Sequence, residues 1–275
     1  MRAASRGARG AGKRLGLVPT MGALHEGHLS LVRAARGSSD VVAASIFVNP
    51  TQFGPNEDLA KYPRSLERDC ELLEREGVDW VFAPSVEEMY PHGAVTWVTV
   101  EGLSDKLDGR SRPGHFRGVA TIVAKLFHAV EPDVAFFGQK DAAQVAVIRR
   151  MVRDLSLPVE IVVCPIVREP DGLAMSSRNA YLDREQRKRA PALHRALMRV
   201  KKLAEAGERK AELLIEAARE EIGQESWVTV DYFEIVDPET LDPVADVSRG
   251  ALVAVAAYVG TTRLIDNVVL GRVRG

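Results

Sequence analysis

Apolar and helical patterns take turns along the chain. Leu15–Val18 and Val41–Val48 are apolar runs of strand length, as expected for parallel strands covered on both faces. Glu26–Arg36 between them reads as a helix. Ser65–Glu76 is helical, with Leu66, Cys70 and Leu73 on one stripe and Gly77 as its stop. Val78–Ala83 is the next strand, Gly118–Val130 a helix and Val134–Phe137 a strand. Asp141–Leu155 reads as a helix capped by Asp141, with Val145, Ile148, Val152 and Leu155 facing inward. Val159–Val163 closes the series. Such alternation predicts an α/β fold with a doubly wound parallel sheet. The pattern changes near residues 167–180. Helices over Arg184–Ala206 and Lys210–Gly223 are followed by strands over Val228–Val236, Ala251–Tyr258 and Arg263–Val269. The expected division is therefore a sheet domain over 1–167 and a small α+β domain over 168–275.

Composition narrows the class. At 46% hydrophobic and 27% charged, the 275 residues have the balance of a soluble globular protein. The core can be large enough to need no disulfide or metal staple. Cys70 and Cys164 stand far apart, outside any Cys/His cluster. They read as buried reduced thiols, which fits a cytoplasmic setting. No apolar run has the length of a membrane span, so no membrane partner is expected. A net charge of −1 argues against nucleic acid as a partner. The only basic cluster, Arg2, Arg6, Arg9, Lys13 and Arg14, reads as a short, partly ordered lead-in to the first strand.

Ligands of open α/β sheets bind beyond the carboxyl ends of the strands. Polar clusters fall at those ends. The first strand runs into Thr20–His28 and the second into Asn49-Pro50-Thr51-Gln52. Val134–Phe137 runs into Gly138-Gln139-Lys140-Asp141, with Gln144 one turn on, and the last strand leads through Val167 to Met175-Ser176-Ser177-Arg178. Four such segments would converge on one crevice. His25 and His28, three apart at a helix start, point the same way. The free N–H groups and partial positive charge there attract phosphate. A metal pair or a structural pair is the competing reading. HExxH zinc spacing is not present, and the lack of GxGxxG disfavours a dinucleotide redox enzyme. Arg112-Pro113-Gly114-His115-Phe116 is evenly balanced between a functional and a structural loop. His92, His128 and His194 read as structural.

The stretches VPTMGALHEGHLSLVRAA, SIFVNPTQFGPNEDLAKYPR, RPGHFRGVATIVAKLF, FFGQKDAAQVAVIRRMVRDL and GLAMSSRNAYL lie in this order between residues 18 and 182. Together they closely resemble the pantoate–β-alanine ligases, of the nucleotidyltransferase superfamily, and that resemblance implies a Rossmann-like doubly wound sheet. His25-Glu26-Gly27-His28 corresponds to the HxGH signature, and Met175-Ser176-Ser177-Arg178 resembles the KMSKS-type loop of class I aminoacyl-tRNA synthetases. The resemblance implies a cytoplasmic homodimer in the route to coenzyme A. It would join pantoate and β-alanine with ATP and Mg²⁺ through a pantoyl adenylate, releasing AMP and pyrophosphate.

By that resemblance His25, His28, Lys140 and Arg178 are the catalytic group, with His28 as proton donor. Met21, Gly22, Gly27, Gly138, Asp141, Val167, Met175, Ser176 and Ser177 join them in binding ATP. Gln52, Gln144 and Asn49 would bind pantoate and β-alanine, and Asp141 would orient Mg²⁺ through water. The loop 53–64 would be a lid, mobile without ligand. Two departures stand out. The lead-in before Leu15 is short where relatives carry a strand and a helix, and Ala142 and Ala143 replace larger residues. The alternatives are another nucleotidyltransferase of the superfamily, which would not require the Gln52/Gln144 pair, and a non-catalytic nucleotide-binding module. The presence of His25, His28 and Lys140 together argues against the second.

Overall fold

The computed structural model describes residues 1–55 and 57–271. The chain forms two compact units, Met1–Gln139 with Val147–Pro165, and Lys140–Ala146 with Ile166–Gly275.

The first unit opens with α1 (Arg2–Gly10), β1 (Leu15–Thr20), α2 (Glu26–Arg36) and β2 (Val41–Ile46). It continues with α3 (Leu66–Arg75), β3 (Trp80–Phe82), the short α4 (Val86–Met89) and α5 (Asp108–Ser111), α6 (His115–Val130) and β4 (Val134–Gly138). The long helix α7 (Ala142–Asp154) precedes β5 (Glu160–Cys164). The five strands are parallel, in the order β3-β2-β1-β4-β5. The chain winds outward from β1 to one edge and resumes at β4 on the other side, so the reversal falls between β1 and β4. β1 pairs with β2 along its whole length, from Leu15↔Val41 to Thr20↔Ile46. Its ladder to β4 holds only Gly16↔Val134 and Leu17↔Ala135. Val18, Val42, Ala44, Val134 and Phe136 of the sheet pack with Leu31, Val32 and Ala35 of α2. α6 is apolar nearly all round and is buried accordingly, from Phe116 to Val130.

Several expected elements are corrected. The basic lead-in is a helix, α1, with Ser5 and Ala8 buried. Its arginines reach the end of α6: Arg2 Nε donates to the His128 carbonyl at 3.0 Å and Arg9 Nη2 to that of Glu131 at 2.7 Å. Cations there satisfy last-turn carbonyls that no helical N–H can reach. α7 ends at Asp154, so Leu155 lies outside it and is 53% exposed, while Val147, Ile148 and Met151 turn inward. Asp141 belongs to a 3₁₀ turn, Gln139–Asp141, ahead of the helix. On α3, Leu66 is exposed and Cys70 is only half-buried. Both cysteines are free thiols.

The second unit holds α8 (Arg184–Arg189), α9 (Ala192–Glu205) and α10 (Ala211–Gly223). After them come β6 (Val228–Val236), β7 (Ala251–Val259) and β8 (Thr262–Leu270), an antiparallel sheet in the order β6-β7-β8. The single helix expected over Arg184–Ala206 is two, because Pro191 has no N–H to continue α8 and serves instead as the N-cap of α9. Leu193, Leu197 and Val200 of α9 and Leu214, Ala218 and Ile222 of α10 cover Phe233, Ile235, Val253 and Val255 of the sheet. Among the described residues no helix is long and apolar enough to cross a membrane.

Candidate functional site

The loop after β1 is held from below. Thr20 Oγ1 donates to the Ser45 carbonyl at 2.7 Å and accepts from Gly22 N at 3.2 Å. Asp69 of α3, 1% exposed, accepts from Ala23 N at 2.8 Å and Leu24 N at 2.9 Å. A buried carboxylate with two backbone donors makes strong, charge-assisted bonds. Gly22 has φ +79, and a Cβ on it would stand 2.9 Å from Asp69 Oδ2. Sequence reading missed Asp69. Its signal was an acid beside Cys70 and between Leu66 and Leu73, within an otherwise apolar stripe.

This loop delivers the chain into α2, whose N-terminus is built by the two histidines. His25 is the N-cap, and its Nδ1 accepts from Gly27 N at 3.1 Å. His28 Nδ1 reaches back to accept from His25 N at 3.3 Å, completing a capping box. The ring centroids lie 4.1 Å apart. An Nδ1 that accepts carries no proton, so each neutral ring bears its hydrogen on Nε2, as a donor. Two N–H donors thus accompany a helix N-terminus. Glu26 is exposed and pairs with Arg33.

Beyond β2 the chain makes a 3₁₀ turn, Pro50–Gln52. Asn49, expected to contact substrate, is 1% exposed and engaged at both polar atoms. Its Oδ1 accepts from Thr51 Oγ1 and Tyr90 Oη, both at 2.9 Å, and its Nδ2 donates to Gln52 Oε1 at 3.1 Å and the Gly118 carbonyl at 3.2 Å. It shapes the turn and orients Gln52. Gln52 Nε2 faces Met21 Sδ at 3.0 Å, which brings these two expected residues together. α6 crosses directly behind the turn: a Cβ on Gly118 would lie 2.4 Å from the Thr51 carbonyl oxygen.

The loop Arg112–His115 takes a definite place here. Arg112 pairs with Glu57 through Nε at 2.8 Å and Nη2 at 2.5 Å. Arg112 Nη1 lies 3.0 Å from His115 Nε2, and His115 Nδ1 lies 2.8 Å from the Gln52 carbonyl. Since Arg112 can only donate, His115 accepts on Nε2 and donates from Nδ1. Burial, and then the Arg112 charge, lower the His115 pKa to about 4. Burial raises the Glu57 carboxyl, but its hydrogen bonds and charge pairing with Arg112 outweigh that and hold it below the usual range. Gln52, Glu57, Arg112 and His115 border a cleft of about 350 Å³. A second cavity, of about 430 Å³, opens at the strand ends between Met21, Gly22, Pro50, Arg64 and Pro84. Gly138 closes β4.

In the second unit Lys140 precedes α7, with Nζ 3.8 Å from Asp141 Oδ1. Gln144 stands partly exposed on the first turn of α7. Met175 N donates to the Val167 carbonyl at 3.0 Å. Ser176 caps the 3₁₀ turn Ser177–Tyr181, its Oγ accepting from Arg178 N at 3.2 Å. Lys140 and Ser176 border one small cavity of about 10 Å³, room for about one water. Among the described residues no cluster of three or more His, Cys, Asp or Glu could hold a metal ion.

A family model described as pantoate–β-alanine ligase matches residues 1–269. The pantothenate synthetase of Koribacter versatilis (strain Ellin345) is 64% identical over 267 residues, covering 96% of this chain and 92% of the relative. That of Acidobacterium capsulatum is 67% identical over 259 residues, with 94% and 87% covered. The crystal structure of pantothenate synthetase from Thermus thermophilus superposes with a TM-score of 0.91 at 51% identity, over 96% of each chain. The pantoate–β-alanine ligase of Francisella tularensis, complexed with β,γ ATP and β-alanine, superposes with a TM-score of 0.77 at 35% identity, over 94% of this chain and 90% of that one.

Proposed function

The chain belongs to the pantoate–β-alanine ligase family, and from that premise we propose that it condenses pantoate with β-alanine, using ATP, through a pantoyl adenylate. The observation that carries this reading is the double-histidine cap of α2, which sets two imidazoles, each accepting on Nδ1, at a helix N-terminus. The ATP and β-alanine bound by the Francisella relative support the substrate class.

A carboxylate is a poor electrophile toward an amine. In the first step an oxygen of the pantoate carboxylate attacks the α-phosphorus of ATP, and pyrophosphate leaves with the electrons of the broken P–O bond. Both reactants are anions, so positioning and charge neutralisation dominate. His25 and His28 donate to the phosphate oxygens, with His28 nearest in role to a proton donor. Lys140, Ser176, Ser177 and Arg178 hold the β- and γ-phosphates and the departing pyrophosphate. Met21, Gly22, Gly27, Gly138, Val167 and Met175 seat the nucleotide. Gln52 and Gln144 present amides able to donate and accept toward pantoate. The sulfur facing Gln52 Nε2 is a weak acceptor, so an incoming oxygen readily replaces it. Asn49 acts through Gln52 rather than on substrate. In the second step the β-alanine amine attacks the acyl carbon, loses a proton, and AMP leaves. The loop 53–64, tied by Glu57 to Arg112, is proposed to shield the adenylate from water.

Mg²⁺ typically keeps several waters and takes one or two carboxylates beside substrate phosphates. The lone carboxylate of Asp141 next to Lys140 fits that need, and the ion would neutralise the phosphate charge.

Exchange of labelled pyrophosphate into ATP tests the reading. Exchange should require pantoate and proceed without β-alanine. A fully active preparation with no such exchange overturns the adenylate. His28→Ala and Lys140→Ala should each lower exchange by roughly 10²-fold or more, and wild-type exchange in either removes that residue from its role.

A further inference from the structure

β8 carries two adjacent buried polar residues, Asp266 and Asn267, 4% and 3% exposed, between Leu264-Ile265 and Val268-Val269-Leu270. Asn is a poor strand former. A buried carboxylate–guanidinium pair is, for stability alone, often matched by an apolar pair. The contacts of these two side chains suggest another reason for them. Asn267 Nδ2 donates to the backbone carbonyl of Lys140 at 2.9 Å. Asp266 takes the Arg168 guanidinium in two parallel bonds, Nη1 to Oδ2 at 2.6 Å and Nη2 to Oδ1 at 2.9 Å. Its Oδ1 also accepts from Asn267 N at 2.7 Å, which ties the two residues together. Arg168 Nη1 continues to the Gly172 carbonyl at 2.9 Å. Arg168 in turn bridges to Ala174, and Met175 N bonds to the Val167 carbonyl, so the segment enters Ser176–Arg178 with its register set.

One strand therefore grips two separate segments: the backbone of Lys140, and the loop ahead of Ser176–Arg178. We propose that Asp266 and Asn267 are positioning residues for the phosphate-binding side chains of this unit. The proposal rests on the phosphate role given above to Lys140 and Ser176–Arg178. Neither β8 residue touches substrate. Asn267 fixes where the Lys140 ammonium starts from, and Asp266 fixes, through Arg168, the path into the serine–arginine turn.

A double-mutant cycle on the full chain, read by pantoate-dependent pyrophosphate exchange, tests this. Asn267→Asp is isosteric but presents an oxygen to the Lys140 carbonyl. It should lower the exchange kcat by about tenfold, the scale of one lost buried hydrogen bond, with a smaller change in the KM for ATP. In a Lys140→Ala background the same change should cost less than about twofold, because the side chain being positioned is gone. Equal losses in both backgrounds, or unchanged exchange in Asn267→Asp, overturn the proposal. If Asn267→Asp does not fold, Asn267→Ser, which shortens the reach to Lys140, runs the same cycle with the same outcomes. A well-folded wild type without any exchange overturns the functional reading, and this proposal with it.

Discussion

His115 acts as a spacer between a cation and a carbonyl. One ring nitrogen accepts from Arg112 and the other donates to Gln52. Protonation would remove the acceptor and set two cations against each other, with Asp108 and Glu57 offsetting only part of that cost. With a pKa lowered from 6.5 to about 4, the unfolded chain binds the proton first as pH falls. The stability that His115 contributes is thus complete above about pH 6.5 and is lost progressively down to about pH 4, on the order of 3 kcal/mol in all. Urea unfolding midpoints measured across that range should fall toward acid, and His115→Gln should show a shallower fall. An identical slope in the variant would remove His115 as the cause.

At the scale of elements, α6 meets the Pro50–Gln52 turn in close backbone contact beside the cleft. Gly118→Ala would drive a methyl group into the Thr51 carbonyl, and the turn bearing Gln52 must then move. A displacement near 1 Å can cost on the order of 10²-fold in kcat/KM, so steady-state kinetics should show a large loss. Near-normal kinetics would mean that Gln52 does not need its observed place. The segments now found at strand ends were legible in the sequence, because periodicity and local motifs act over a few residues. His25 caps α2 through Gly27 and His28, all within one turn. What escaped was long-range. Asp69 bonds residues 46 and 45 positions away, and Asn267 bonds one 127 away, and no local spacing encodes such partners. Arg112 and His115 stayed ambiguous for the same reason, since Glu57 and Gln52 reach them across the fold. The helical lead-in escaped likewise, since Arg2 and Arg9 of α1 find carbonyls 126 and 122 positions away. One other misreading was local: Pro191 divides the helix expected over Arg184–Ala206.

For the molecule as a whole, the α/β reading holds: a parallel five-stranded sheet in one unit and a three-stranded antiparallel sheet in the other, each with its own buried cluster. Within the first, the seam between β1 and β4 differs from every other, because its ladder ends after two residue pairs. Few shared backbone bonds mean a low free energy of local opening. In hydrogen–deuterium exchange, those amides of Val18, Thr20 and Phe136–Gly138 that face this seam should therefore take up deuterium sooner than those between β1 and β2; Pro19 has no N–H to report. Adding ATP should slow them first. The sheet would then carry a built-in report of occupancy, written in the lifetimes of a few amide protons.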